Sequence, residues 1–79
     1  AAPNIDKGWA LKKLAEYLDL IPSEIMAIGN ADNDIPMIKY AGTGIAMASS
    51  TPTLLKIADY KTASNNIDGI EKAIKKFIL

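Results

Sequence analysis

The feature that most constrains this chain is the stretch Ile25-Met26-Ala27-Ile28-Gly29, followed directly by Asn30-Ala31-Asp32-Asn33-Asp34. Four apolar residues without alternation, closed by a glycine, form the pattern of a buried parallel strand covered on both faces. In open parallel sheets, ligands bind beyond the carboxyl ends of the strands. The dense polar loop therefore falls where a site is expected. Gly44-Ile45-Ala46-Met47 repeats the apolar pattern as a second strand, and Tyr60-Lys61-Thr62 offers a brief third.

Helical periodicity fills the intervals between strands. Leu11, Leu14, Ala15 and Leu18 recur at i, i+3, i+4 and i+7, so residues 7–20 read as an amphipathic helix ended by Ile21-Pro22-Ser23. Pro36 opens a short helix carrying Met37, Ile38 and Tyr40, which Ala41-Gly42 stops. Ser49-Ser50-Thr51-Pro52 supplies hydroxyl caps and a first-turn proline for a helix with Leu54, Leu55 and Ala58. The last helix takes Asn66 as its cap, Asp68 and Glu71 near its start, and Lys72, Lys75 and Lys76 near its end. Ile67, Ile70, Ile74, Phe77 and Ile78 form its apolar stripe. The resulting order predicts an α/β fold in one domain over residues 1–79, a parallel sheet of three strands with flanking helices.

Composition narrows what such a domain does. Nine Lys balance nine Asp and Glu, and there is no His, so the formal net charge is zero. No basic cluster is present for nucleic acid and no basic amphipathic face for a membrane surface. The 79 residues contain no Cys, which excludes disulfides and, together with the absence of His, a structural zinc. The apolar runs are far shorter than the roughly 20 residues of a membrane helix. A soluble cytoplasmic protein is the expectation.

The one polar cluster dense enough for chemistry is Asn30, Asp32, Asn33 and Asp34. Carboxylate and amide oxygens suit Mg²⁺, which commonly shares its shell with waters and a phosphate. Alternatively, Asn33 or Asp34 caps the helix at Pro36. Both roles are open from spacing alone.

These residues also resemble a family. Gly29-Asn30-Ala31-Asp32-Asn33-Asp34-Ile35-Pro36-Met37 is similar to the fourth motif of the haloacid dehalogenase superfamily, in the form found in Cof-type phosphatases: Gly-Asp-x-x-Asn-Asp, an apolar residue, any residue, then Met. Lys7-Gly8-Trp9-Ala10-Leu11 resembles the Lys-Gly-x-Ala-Leu third motif. Ala41-Gly42-Thr43-Gly44-Ile45-Ala46-Met47 resembles the Ala-Gly-x-Gly-Val-Ala-Met strand, and Ser64-Asn65-Asn66-Ile67-Asp68-Gly69-Ile70 resembles the Ser-Asn-x-x-Asp-Gly-Val stretch. The four motifs span nearly the whole chain in order.

The resemblance implies a Rossmann-like, three-layer core that is incomplete: the carboxyl-terminal portion of the family's catalytic domain, without a cap domain. It implies a Mg²⁺-dependent phosphohydrolase acting on small phosphate monoesters through an aspartyl-phosphate. Lys7 is then the catalytic lysine that also contacts the transferring phosphate, and Asn33 contacts phosphate or bound water. Asp34 lies close to Lys7 and to the metal's water shell, and Asn30 occupies the place of a direct metal ligand. Two departures stand out. Asn30 replaces a carboxylate by a neutral amide, which weakens a hard-cation site. Asp32 is not expected to compensate, because it points elsewhere from the loop. The Asp-x-Asp-Gly-Thr motif that carries the family's nucleophile is absent from these 79 residues. The expected partners are a small phosphorylated metabolite and, at the sheet edge left open, a second copy or a complementary amino-terminal half. The alternative function is a non-catalytic module that folds, self-associates or binds such a half.

Overall fold

The computed structural model describes residues 6–62 and 67–78. In chain order the elements are helix α1 (Lys7–Tyr17), a 3₁₀ turn (Pro22–Glu24), strand β1 (Met26–Gly29), a second 3₁₀ turn (Asp32–Asp34), helix α2 (Ile35–Tyr40), strand β2 (Thr43–Ala46), helix α3 (Pro52–Ile57), strand β3 (Tyr60–Lys61) and helix α4 (Ile67–Phe77). The strands form one parallel sheet in the order β1-β2-β3. Ala27 pairs with Gly44, Ile28 with Ile45, and Ile45 in turn with Tyr60. This is the predicted α/β architecture, three parallel strands with flanking helices.

Local chemistry fixes the element ends. Asp6 caps α1, its Oδ1 accepting from the Trp9 N–H at 2.7 Å. The helix stops at Tyr17, three residues before the expected end, because Asp19 adopts a left-handed conformation (φ 58°). The Leu20 N–H then reaches the Ala15 carbonyl (2.8 Å) and the Asp19 N–H the Glu16 carbonyl (3.2 Å), a Schellman closure. Aspartate is among the few non-glycine residues that enter this region readily. Thr51 caps α3 through its hydroxyl, ahead of Pro52. The expected cap at Asn66 lies outside the described residues.

Ala27, Ile38, Ala41, Ala46 and Leu54 form the core cluster, with Ile45 and Ala73 also fully buried. Burial departs from the apolar periodicity in two helices. In α1 the buried face runs through Gly8, Leu11 and Ala15 against α2, leaving Leu14 and Leu18 more than half exposed. In α4, among the residues whose burial is described, Gly69 and Ala73 are buried and Ile70 and Ile74 half-buried, while Ile78, just past the helix, is exposed; the expected stripe positions Ile67 and Phe77 lie outside that description. The small residues allow close approach, and the larger ones flank the contact. Strand β1 also differs from expectation. Ala27 and Gly29 lie on the face packed against Ile38 and Asp34 and are buried, but Met26 and Ile28, on the alternate face, are only half-buried. Beside β1, the edge strand among the described residues, Leu11, Leu14, Leu18, Leu20, Ile25 and Met26 line an open groove of about 260 Å³. Among the described residues, no helix is long and apolar enough to cross a membrane.

Candidate functional site

The carboxyl end of β1 is tied to the segment that follows β2. The Gly29 carbonyl accepts from the Met47 N–H (2.9 Å) and from the Ser50 hydroxyl (3.2 Å). The polar run expected to be a loop instead winds into the 3₁₀ turn Asp32–Asp34 and continues directly into α2. That turn carries Asp34 back beneath Asn30. Asp34 Oδ2 accepts from the backbone N–H groups of Asn30 (2.9 Å) and Ala31 (3.2 Å). The Lys7 ammonium donates to Asp34 Oδ1 at 2.6 Å.

Two glycines make this arrangement possible. A β-carbon on Gly29 would lie 2.6 Å from Asp34 Cβ, so only glycine lets the Asp34 side chain fold over the strand end. A β-carbon on Gly8 would lie 2.7 Å from Pro36 Cβ, so glycine is what lets the start of α1 rest on the start of α2. The Lys7–Asp34 pair bridges that contact.

Asp34 is buried at 4 % exposure. Burial alone pushes its carboxyl upward, but the Lys7 hydrogen bond, the two backbone donors and the Lys7 charge together outweigh it and hold Asp34 below the ordinary carboxylate range. The capping alternative is resolved for Asp34: its carboxylate makes no cap bond to α2 and turns back to Lys7 and the loop amides. Lys7 is half exposed, and one of its three N–H donors is spent on Asp34, leaving donors for an anion.

Asn30 and Asn33 are exposed, at the strand end and in the 3₁₀ turn respectively. Asp32 points away from this pair, its Oδ1 accepting from the Thr51 hydroxyl at 2.6 Å. Sequence reasoning passed over Ser50 and Thr51, both read only as caps; Ser50 instead bonds Gly29 across 21 residues, a pairing with no local signal.

For a divalent cation the donor chemistry fits in part. A carboxylate offers about four acceptor positions, and Asp34 uses three, leaving one for a metal-bound water. Asn30 adds one neutral hard oxygen. Among the described residues no three Asp or Glu side chains converge on a common point.

Residues 1–74 match the model of the haloacid dehalogenase-like hydrolase family. The chain is 40 % identical over 75 residues to a phosphoglycolate phosphatase of Methanoculleus marisnigri, covering 95 % of this chain and 32 % of that protein. It is 42 % identical over 78 residues to the 5-amino-6-(5-phospho-D-ribitylamino)uracil phosphatase YcsE of Bacillus subtilis, covering 99 % and 31 %. A crystal structure of a haloacid dehalogenase-like hydrolase from Bacteroides thetaiotaomicron superposes with a TM-score of 0.87 at 40 % identity, over 94 % of this chain and 28 % of that one. The chain thus spans about a third or less of the length of each of these three relatives. With a family match over nearly its full length and the same arrangement of strands, this chain belongs to the haloacid dehalogenase-like hydrolase family.

Proposed function

We propose that this chain supplies the lysine-bearing part of a Cof-type phosphohydrolase site, in a protein that hydrolyses small phosphate monoesters. The observation that carries the reading is the 2.6 Å contact between Lys7 and Asp34 at the carboxyl end of β1. It sets a half-exposed ammonium on a buried, firmly held carboxylate, and the exposed Asn30 and Asn33 belong to the same short segment as that carboxylate. An ammonium held in this way stabilises charge on a transferring phosphoryl group without reorganising during the reaction. Lys7 is assigned the catalytic and phosphate-binding role, Asn33 a phosphate contact, Asp34 the positioning of Lys7 and of a metal-bound water, and Asn30 a direct oxygen to the metal. Mg²⁺, when bound, supplies charge neutralisation for the phosphoryl oxygens. Relatives named as phosphatases of phosphoglycolate and of a phosphoribitylamino-uracil support a small phosphorylated metabolite as substrate.

The attacking carboxylate of the aspartyl-phosphate route belongs, in this reading, to sequence outside residues 1–79, and the chain forms the carboxyl-terminal portion of a cytoplasmic catalytic core. The test is turnover of p-nitrophenyl phosphate by the chain with Mg²⁺. The expected result is hydrolysis no faster than buffer, since covalent phosphoryl transfer needs an in-line nucleophile. Mg²⁺-dependent turnover that survives purification and disappears in Lys7→Ala would place the whole machinery within the chain and overturn the division.

A second reading is favoured by the neutral amide at Asn30 and by the open β1 edge with its apolar groove. Here the chain is a non-catalytic module whose edge pairs with a second copy or with a complementary half.

A further inference from the structure

The geometry points to Ser50 as a positioning residue that acts on Asp34 through one peptide group. The Gly29 carbonyl and the Asn30 N–H belong to the same peptide unit. On its oxygen side that unit accepts from the Ser50 hydroxyl (3.2 Å) and the Met47 N–H (2.9 Å). On its nitrogen side it donates to Asp34 Oδ2 (2.9 Å), whose other oxygen receives Lys7 (2.6 Å). The result is a continuous line from the Ser50 hydroxyl through the Gly29–Asn30 peptide to the Asp34 carboxylate and the Lys7 ammonium.

Peptide resonance makes the line directional. Hydrogen bonds accepted by the carbonyl increase the double-bond character of C–N and the positive charge on N–H. Consecutive bonds polarise one another by about 10–30 % each in a low-dielectric setting. Ser50 is buried, and the bond it makes is buried. Its own backbone is fixed by the Ser50 N–H donating to the Met47 carbonyl at 2.9 Å. The next residue, Thr51, grips Asp32 on the far side of the same turn. Ser50 contacts neither Asp34 nor Lys7 in this network; it sharpens the donor that holds Asp34 in place. The relevance of this line to phosphate rests on the reading of Lys7 proposed above, whereas its geometry does not.

The Ala31 N–H provides an internal control. It donates to the same Oδ2 at 3.2 Å but belongs to the Asn30–Ala31 peptide, whose carbonyl is not the one Ser50 bonds. The experiment compares amide ¹⁵N–¹H spectra of the wild-type chain, Ser50→Ala and Ser50→Thr, with neither metal nor phosphate present. In Ser50→Ala the Asn30 amide proton is expected to move upfield, the Ala31 proton to move less, and the α1 amides to keep their positions. Ser50→Thr, which retains the hydroxyl, should return Asn30 toward its wild-type shift. An Asn30 displacement no larger than that of Ala31, or no return in Ser50→Thr, overturns the assignment. Should Ser50→Ala fail to fold, Ser50→Cys takes its place: its weak donor should give a displacement in the same direction, and no displacement overturns the assignment. Because phosphate is absent, failure here leaves the phosphate reading standing, and failure of that reading leaves this result standing.

Discussion

Gly8 rests directly on Pro36, with space for a hydrogen but not for a methyl: a β-carbon at position 8 would lie 2.7 Å from Pro36 Cβ and 2.8 Å from the Pro36 carbonyl oxygen. This contact sets the distance between the first turns of α1 and α2, and hence places Lys7 within reach of Asp34. Gly8→Ala should therefore push the helices apart. In an exposed helix the change would gain up to about 1 kcal/mol of propensity, but overpacking against backbone costs roughly 1–3 kcal/mol. The net expectation is a lower urea midpoint, together with a shifted Lys7 amide. A midpoint higher than wild type would show that the helix contact yields.

Acid should weaken the fold through Asp34. Its folded pKa lies below the unfolded reference of 3.8, because Lys7 and two backbone donors outweigh burial. A depressed carboxylate contributes stability that is fully present above the unfolded value and is lost as pH falls through the folded one. Unfolding free energy measured in urea should thus drop on acidification below about pH 4, and Asp34→Asn should flatten that limb. At neutral pH the same variant should cost about 1–3 kcal/mol, the range for leaving buried donors poorly matched, with the ion-pair part small because Lys7 is half exposed. An unchanged acid limb in Asp34→Asn would assign the acid sensitivity to other carboxylates.

The metal assignment depends on position 30. Asn30→Asp places a carboxylate at the exposed end of β1, and hard cations favour charged oxygen ligands. Calorimetric titration should show Mg²⁺ binding strengthened in the variant and still no phosphatase turnover, since the change supplies a ligand and not a nucleophile. Equal Mg²⁺ affinity in the two forms would mean that position 30 does not face the ion.

Among the described residues, strand β1 ends the sheet beside an apolar groove, and Leu14 and Leu18, which line it, are each more than half exposed. Unpaired strand edges next to apolar surface favour association. Sedimentation equilibrium should show the average mass rising with concentration, and Leu14→Lys should suppress the rise. A monomer at every concentration would show that the edge is protected within the chain.

Much of this architecture was legible because punctuation and periodicity agree. Gly29, Pro36, Gly42 and Pro52 bound the elements, and the apolar runs between them have strand or helix length. What periodicity cannot reveal is which part of an apolar stripe finds a partner. Leu11 packs against the core and Ala15 is fully buried, whereas Leu14 and Leu18, equally apolar and correctly spaced, line the same groove more than half exposed. The candidate site divides in the same way. The proximity of Lys7 to Asp34 was available only through family resemblance, because 27 residues separate them. The bonds from Ser50 to Gly29 and from Thr51 to Asp32 carry no local signature, since serine and threonine before a proline are adequately explained as helix caps.

Phosphate recognition by Lys7 is the most direct consequence of this site. Inorganic phosphate titrated into the ¹⁵N-labelled chain at fixed Mg²⁺ should shift the amides of Lys7, Asn30 and Asn33 in one saturable process, and Lys7→Ala should abolish that response while leaving the β2 amides in place. No saturable shift at the carboxyl end of β1, or an undiminished response in Lys7→Ala, would contradict the assignment of this lysine to a phosphate site.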